Sequence, residues 1–191
     1  MHLILASTSP YRRRLLERLE LEFTVESPGV DERHEPGEPP VQRAARLAQA
    51  KAHAVAVRHP QAVVIGSDQV VLAGETILDK PGDGVRARAQ LAHLSGSSAV
   101  FLTACCVVRI SPSFSASHID TTRAVFRLLD AAEIARYVER ERPFDCAGAF
   151  KSEALGVSLL ERIETVDPTA LVGLPLISLS SVLRRLGFEV P

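Results

Sequence analysis

Lysine is scarce in this chain of 191 residues: among 22 basic residues, only Lys51, Lys80 and Lys151 are lysine. Genomic base composition alone produces such a bias. A chain that takes arginine almost everywhere also has reason to keep lysine where a compact ammonium is required. Cysteine is as sparse. Cys105, Cys106 and Cys146 make an odd set, two of them adjacent, with no C-x-x-C pair. That argues against a disulfide framework or a zinc site and for a reducing compartment, by default the cytoplasm. Charge of one sign is missing too. The net charge is −1, so no basic field draws in nucleic acid, and a nucleotide-sized anion needs a local cluster of positive groups. No apolar run approaches the roughly 18 residues of a membrane span. MHLILASTSP lacks the basic n-region of a secretory signal, so none is expected. There is no G-x-S-x-G elbow, no Walker loop, no G-x-G-x-x-G and no cysteine near a histidine, and the six histidines show no ligand spacing.

What is present is the composition of a soluble globular protein, 46% apolar and 24% charged, of a length that suits one domain over residues 1–191, with room for two lobes. LILAS (Leu3 to Ser7) reads as a buried strand. Ser9 and Pro10 then open a helix as N-cap and first residue, with an apolar stripe of Leu15, Leu16 and Leu19. A strand is expected over Phe23 to Glu26, a turn-rich stretch to Pro40, a helix from Val41 to Arg58 and a strand from Ala62 to Leu72. Gly74-Glu75 turns into a short strand, Thr76 to Leu78, and a helix follows over Val85 to Leu94. Ala99 to Ile110 is β-rich, Ser111 to Ser117 is a polar turn, and His118 to Leu128 alternates like an antiparallel strand. Asp130 caps a helix through Glu139, Cys146 to Gly156 is a loop, Val157 to Glu164 alternates, and a last helix is expected over Leu171 to Leu186. The pattern predicts an α/β fold with a mixed, twisted sheet flanked by helices, not a purely doubly wound one.

One stretch resists a purely structural reading. VVIGSDQVV (Val63 to Val71) is a buried strand with a carboxylate, Asp68, at its centre. Such a group is costly there unless it is paired, hydrogen-bonded or metal-bound. Either the strand ends at Gly66 and Asp68 caps a bend, or Asp68 belongs to an active site. Asp31-Glu32 lies in a Gly/Pro-rich loop, where acidic residues are mostly solvated; with Asp68 they would supply oxygen ligands for Mg²⁺ or Mn²⁺. Arg12, Arg13 and Arg14 crowd the first turn of a helix, against its dipole, and an anion would relieve that cost. Ser7, Thr8 and Ser9 offer hydroxyls at the same place. At least one of the three arginines is expected to be plain solvated surface. Lys80 precedes Pro81-Gly82 at a loop tip suited to a ligand, whereas Lys51, in mid-helix, reads by itself as a surface lysine.

The motifs LILASTSPYRRRLL, GVDE, Lys51-Ala52, VIGSDQVV, DKPGD, LSG, DCAGAFKSEALG and VGLPL follow one another in order from Leu3 towards Leu186. As an ordered set the chain resembles the Maf-like nucleoside triphosphate pyrophosphatases. The resemblance implies hydrolysis of a nucleoside triphosphate to the monophosphate and pyrophosphate with a divalent cation, Mg²⁺, Mn²⁺ or Co²⁺. It also implies a Maf/ITPase-like fold of two lobes with a central substrate groove. On its motifs Asp68 matches the catalytic acid/base, Ser7, Arg12, Lys51 and Lys80 the phosphate-binding positions, and Glu32 with Asp68 the metal ligands.

Within the family, Tyr11 after Ser9-Pro10, Gln69 after Asp68 and Glu153 in FKSEALG resemble the 7-methyl-GTP pyrophosphatase branch rather than the dTTP/UTP branch. Chemistry agrees. An aromatic face at Tyr11 suits the cationic 7-methylguanine ring. A carboxylate at Glu153 suits the guanine edge, with its two donors. Gln69 would read another edge or orient the base. Two alternatives stay open: a dTTP/UTP or other modified-nucleotide pyrophosphatase, and a nucleotide-binding regulator of septum formation. The implied partner is a nucleoside triphosphate, without nucleic acid or membrane, and a homodimer would be an ordinary outcome.

Overall fold

The computed structural model describes residues 1–191. Seven strands form one mixed sheet in the order β2-β1-β3-β5-β6-β7, with β4 on β3. They are β1 (Leu3–Ala6), β2 (Thr24–Glu26), β3 (Val63–Ala73), β4 (Thr76–Ile77), β5 (Ser98–Arg109), β6 (Phe114–Phe126) and β7 (Leu160–Glu164). The helices are α1 (Pro10–Glu17), α2 (Pro40–Ala56), α3 (Gly84–Leu94), α4 (Ala131–Glu141) and α5 (Leu176–Arg185). β1 pairs parallel with β2 and β3, while β4 on β3 and β7 on β6 are antiparallel. The chain divides into two compact units. One comprises Met1–Gln69, Thr103–Asp120 and Asp167–Pro191; the other comprises Val70–Leu102 and Thr121–Val166. No helix is long and apolar enough to cross a membrane.

In the first unit the strand period of two sorts the side chains. Leu3 and Leu5, Val63 and Ile65, and Cys105 and Val107 pack with Leu15 and Leu16 of α1 and with Leu176, Leu179 and Leu183 of α5. The opposite face presents Ile4 and Ala6 beside Val64 and Gly66, in register, to α2. α2 buries Ala44, Leu47, Ala48, Ala52 and Val55. Its backbone lies almost on the strand: a Cβ at Gly66 would stand 2.3 Å from Ala48 O and 2.6 Å from Ala52 N. Ser9 caps α1, its side chain accepting from Arg12 N, and Pro10 is the first helical residue, as expected.

The last helix is shorter than the apolar pattern predicts. Residues Ala170–Val172 form a 3-10 turn, Gly173 takes φ +117, and α5 begins only after Pro175. Its first N–H groups find partners upstream: Leu176 N donates to Thr169 Oγ1 at 2.8 Å and Ile177 N to Asp167 Oδ2 at 2.7 Å. In the second unit Asp83 and Asp130 cap α3 and α4, each accepting from the backbone N–H three residues on. The Phe150 ring packs on Phe101 at 6.1 Å and on Phe126 at 5.5 Å. β6 begins at Phe114, before His118, because the chain between β5 and β6 needs only residues 110–113 to reverse.

Candidate active site

β3 does not end at Gly66. It runs on through Asp68 to Ala73, so Asp68 sits in mid-strand, 7% exposed, on the α2 face with Val64 and Gly66. Lys51 lies on the buried side of α2 with Ala48 and Ala52, and it is 4% exposed rather than a surface lysine. It shares that side of the helix with the two residues that pack on Gly66. Lys51 Nζ donates to Asp68 Oδ1 at 2.7 Å and pairs with Glu32 Oε1 at 2.7 Å. Each buried charge is thereby compensated, the condition for keeping either in the interior. Glu32 keeps its side chain 57% exposed, so the cluster reaches from the core to solvent.

The loop that carries Glu32 is held by α2. Arg46 binds Glu38 in a fork, Nε to Oε1 at 2.6 Å and Nη2 to Oε2 at 2.7 Å, and Nη2 also reaches Arg33 O at 3.3 Å. These bonds to Glu38, above all, raise the Arg46 guanidinium further above its usual range, with Asp68 adding to the effect. Arg46 was invisible as a site residue in the sequence, one arginine among many on an amphipathic helix. Arg12, half-buried in α1, donates from Nε to Gly173 O at 3.0 Å. Burial lowers its pKa, and the negative charges of Asp68 and Glu32 oppose that. Arg13 and Arg14 are exposed, with Arg13 bound to Glu17 at 2.9 Å, which is the solvated surface expected of part of this run. Ser7, buried at the end of β1, accepts from Ser9 N at 3.1 Å. The first unit thus joins Glu32, Lys51 and Asp68 in one cluster and holds Arg12 within the electrostatic influence of the two carboxylates, with Ser7 buried at the end of β1.

The other predicted residues are placed differently. Gln69 faces away from Asp68, and its Nε2 lies 2.8 Å from Thr103 Oγ1, 3.0 Å from Ala170 O and 3.2 Å from Leu171 O. Its amide hydrogens are thus engaged by the protein, which favours an orienting part over direct reading of a base edge. Tyr11 is half-buried in the first turn of α1. Lys80 and Glu153 are exposed in the second unit, Lys80 between β4 and α3. Glu153 lies two residues beyond Lys151, whose Nζ donates to Glu141 O at 2.9 Å and whose N donates to Tyr137 Oη at 3.0 Å. Ser67 was missed, although a serine in an apolar strand is a visible signal. Fully buried, its Oγ lies 2.8 Å from both Ala104 O and Gly173 O.

Burial pushes the Cys105 thiol up to about 12, so it is no thiolate nucleophile. No three side chains of metal-ligating type converge anywhere in the fold. Asp68 and Glu32 remain as a pair of oxygen donors meeting at one ammonium.

Two carboxylates and a lysine, carried by β3, by the loop before α2 and by α2 itself, thus form one ion-paired cluster. The family model of the Maf-like protein matches residues 2–186, and the chain belongs to this family. It is 52% identical to the 7-methyl-GTP pyrophosphatase of Aromatoleum aromaticum, over 99% of this chain and 97% of that protein. It is also 52% identical to the 7-methyl-GTP pyrophosphatase of Xanthomonas oryzae pv. oryzae, over 99% and 98%. The solved structure of the Staphylococcus aureus Ham1 protein is 15% identical, with a TM-score of 0.46, covering 66% of this chain and 72% of that one.

Proposed function

We propose that the protein hydrolyses 7-methyl-GTP to 7-methyl-GMP and pyrophosphate. The observation that carries the proposal is the buried Lys51 joined at 2.7 Å to both Asp68 and Glu32. The names of the two relatives support the substrate. Asp68 acts as general base: its carboxylate takes a proton from water as the oxygen attacks the α-phosphorus. One P–O bond forms, the α–β anhydride bond breaks, and pyrophosphate leaves with the electron pair. Arg12 and Lys51 offset the charge that grows on the phosphoryl and leaving oxygens. Ser7 donates a hydrogen bond to a phosphate oxygen, and Lys80 is a further phosphate-binding residue.

Asp68 and Glu32 fit a hard divalent cation such as Mg²⁺, Mn²⁺ or Co²⁺, since one or two carboxylates plus substrate phosphates are the ordinary ligand set of such ions. When bound, the ion supplies positive charge to the polyphosphate. Tyr11 is assigned to stacking on a cationic base and Glu153 to accepting from a guanine edge, while Gln69 bears on specificity only through the segment 170–171 that it holds. A single Maf-like domain over residues 1–191, a cytoplasmic location and a homodimer complete the proposal.

The test is pyrophosphate release with Mg²⁺ or Mn²⁺ across 7-methyl-GTP, GTP, dTTP, UTP and CTP, with Asp68→Asn alongside. Preference for 7-methyl-GTP, lost in the variant, is the expected result. Preference for dTTP or UTP removes the parts given to Tyr11 and Glu153. Binding without release from any nucleotide leaves a regulator rather than an enzyme.

A further inference from the structure

The strand that carries Asp68 has a second polar face. Ser67 and Gln69 point away from α2, and both hold the segment 170–173. Ser67 Oγ shares its one hydrogen between Ala104 O and Gly173 O, each at 2.8 Å. Gln69 Nε2 holds Ala170 O and Leu171 O, and Thr103 Oγ1 donates to Ala170 O at 2.8 Å. The segment ends at Gly173, whose carbonyl also accepts Arg12 Nε at 3.0 Å. Gly173 takes φ +117, where side chains are strained, and a Cβ there would stand 3.4 Å from Arg12 Nε. One carbonyl is therefore shared by a serine that fixes it and an arginine that it aims.

We propose that Ser67 and Gln69 are positioning residues for Arg12, acting through the Gly173 carbonyl. This rests on the reading of Arg12 as a phosphate ligand. An arginine side chain is long and mobile, and its fork recognises a phosphate only when it is correctly turned. Anchoring Nε on a fixed carbonyl sets that turn and leaves the two terminal nitrogens for the anion. The tripeptide Ser67-Asp68-Gln69 then has two tasks. Its middle residue performs the chemistry on one face of β3, and its flanks aim the arginine from the other.

A double-mutant cycle on inorganic tripolyphosphate binding, read by titration calorimetry, tests this. Arg12→Ala is expected to weaken binding about 100-fold, the scale of losing one partner of a charge-assisted contact. Ser67→Ala is expected to weaken it about tenfold in the wild-type background and not at all in the Arg12→Ala background, the signature of residues that act through one another. Gln69→Met is expected to show the same dependence on Arg12 with about a threefold loss. Melting curves establish that each variant folds, and if Ser67→Ala does not, Gln69→Met carries the cycle. A purely structural role gives the same fractional loss with or without Arg12 and overturns the proposal. Unchanged affinity in both Ser67→Ala and Gln69→Met overturns it as well, as does a wild-type protein that binds no tripolyphosphate. Failure of the pyrophosphatase reading has a separate signature: the coupling holds, yet wild-type protein releases no pyrophosphate from any nucleotide.

Discussion

In the unit built from Met1–Gln69, Thr103–Asp120 and Asp167–Pro191, the candidate residues Lys51 and Asp68 are buried and bonded to each other. In the unit built from Val70–Leu102 and Thr121–Val166, Lys80 and Glu153 stand exposed. The first arrangement is preorganised: its charges are held by the fold itself, and removing one disturbs structure and chemistry together. The second leaves its side chains to solvent, where substitution has little structural consequence and a bound ligand can decide their geometry. Charges bonded within a core and charges presented on a surface answer differently to mutation, and this gives the contrast its tests.

The largest effect is expected at Asp68. Asp68→Asn should lower kcat by about 10²–10⁴-fold, the range of general-base catalysis, with a far-ultraviolet spectrum like that of the wild type. Steady-state kinetics and circular dichroism check it, and near-normal turnover removes Asp68 as the base. Next comes Lys51→Met, which strands the Asp68 carboxylate in the interior. A loss of about 3–5 kcal/mol in denaturant unfolding is expected, the scale for breaking a buried pair. A loss below ~1 kcal/mol would show that the pair is no more than a surface ion pair. Gly66→Ala should cost about 1–3 kcal/mol through overpacking against α2. Unlike most surface changes it should also slow turnover, because it shifts Lys51 from Asp68.

In the second unit, Glu153→Gln should change stability by no more than about 0.5 kcal/mol. Its expected signature is a rise in KM for 7-methyl-GTP greater than that for GTP. Equal losses on both nucleotides would give Glu153 a structural or catalytic part and erase the contrast between the units. The smallest effect concerns acid. The hydrogen bond from Arg46 holds the Glu38 carboxyl below its ordinary 4.5. A depressed carboxyl contributes stability that is present above 4.5 and is lost as pH falls towards the folded-state value. Below pH 4.5 the melting midpoint of the wild type should therefore fall more steeply than that of Glu38→Gln.

Much of this was legible in the chain. Ser9-Pro10 and Asp130 announce their helices because capping is local chemistry, written within four residues. The mixed sheet followed from strand patterns of both kinds. Asp68 stood out because a carboxylate in an apolar strand is an anomaly that sequence alone displays. Lys51 did not, since mid-helix lysines mostly face water and its burial depends on where α2 lies on β3. Arg46 and Ser67 escaped for the same reason. Their partners, Glu38 across a loop and Gly173 at a distance of 106 residues, are fixed by tertiary packing. The apolar run after Leu171 reads as continuous helix because periodicity does not register the left-handed turn at Gly173.

The bare backbone at Gly66 has one more consequence. With Ala48 O only 2.3 Å from the place where a Cβ would be, α2 and β3 meet with no side chain between them at that point. Two residues further along the strand, Lys51 from that helix meets Asp68, Nζ to Oδ1 at 2.7 Å. An ammonium is a compact point charge that can meet both carboxylates at one nitrogen, whereas a guanidinium presents a planar fork. In a chain whose basic residues are otherwise nearly all arginine, the buried place beside this helix–strand contact is one where a compact ammonium is kept.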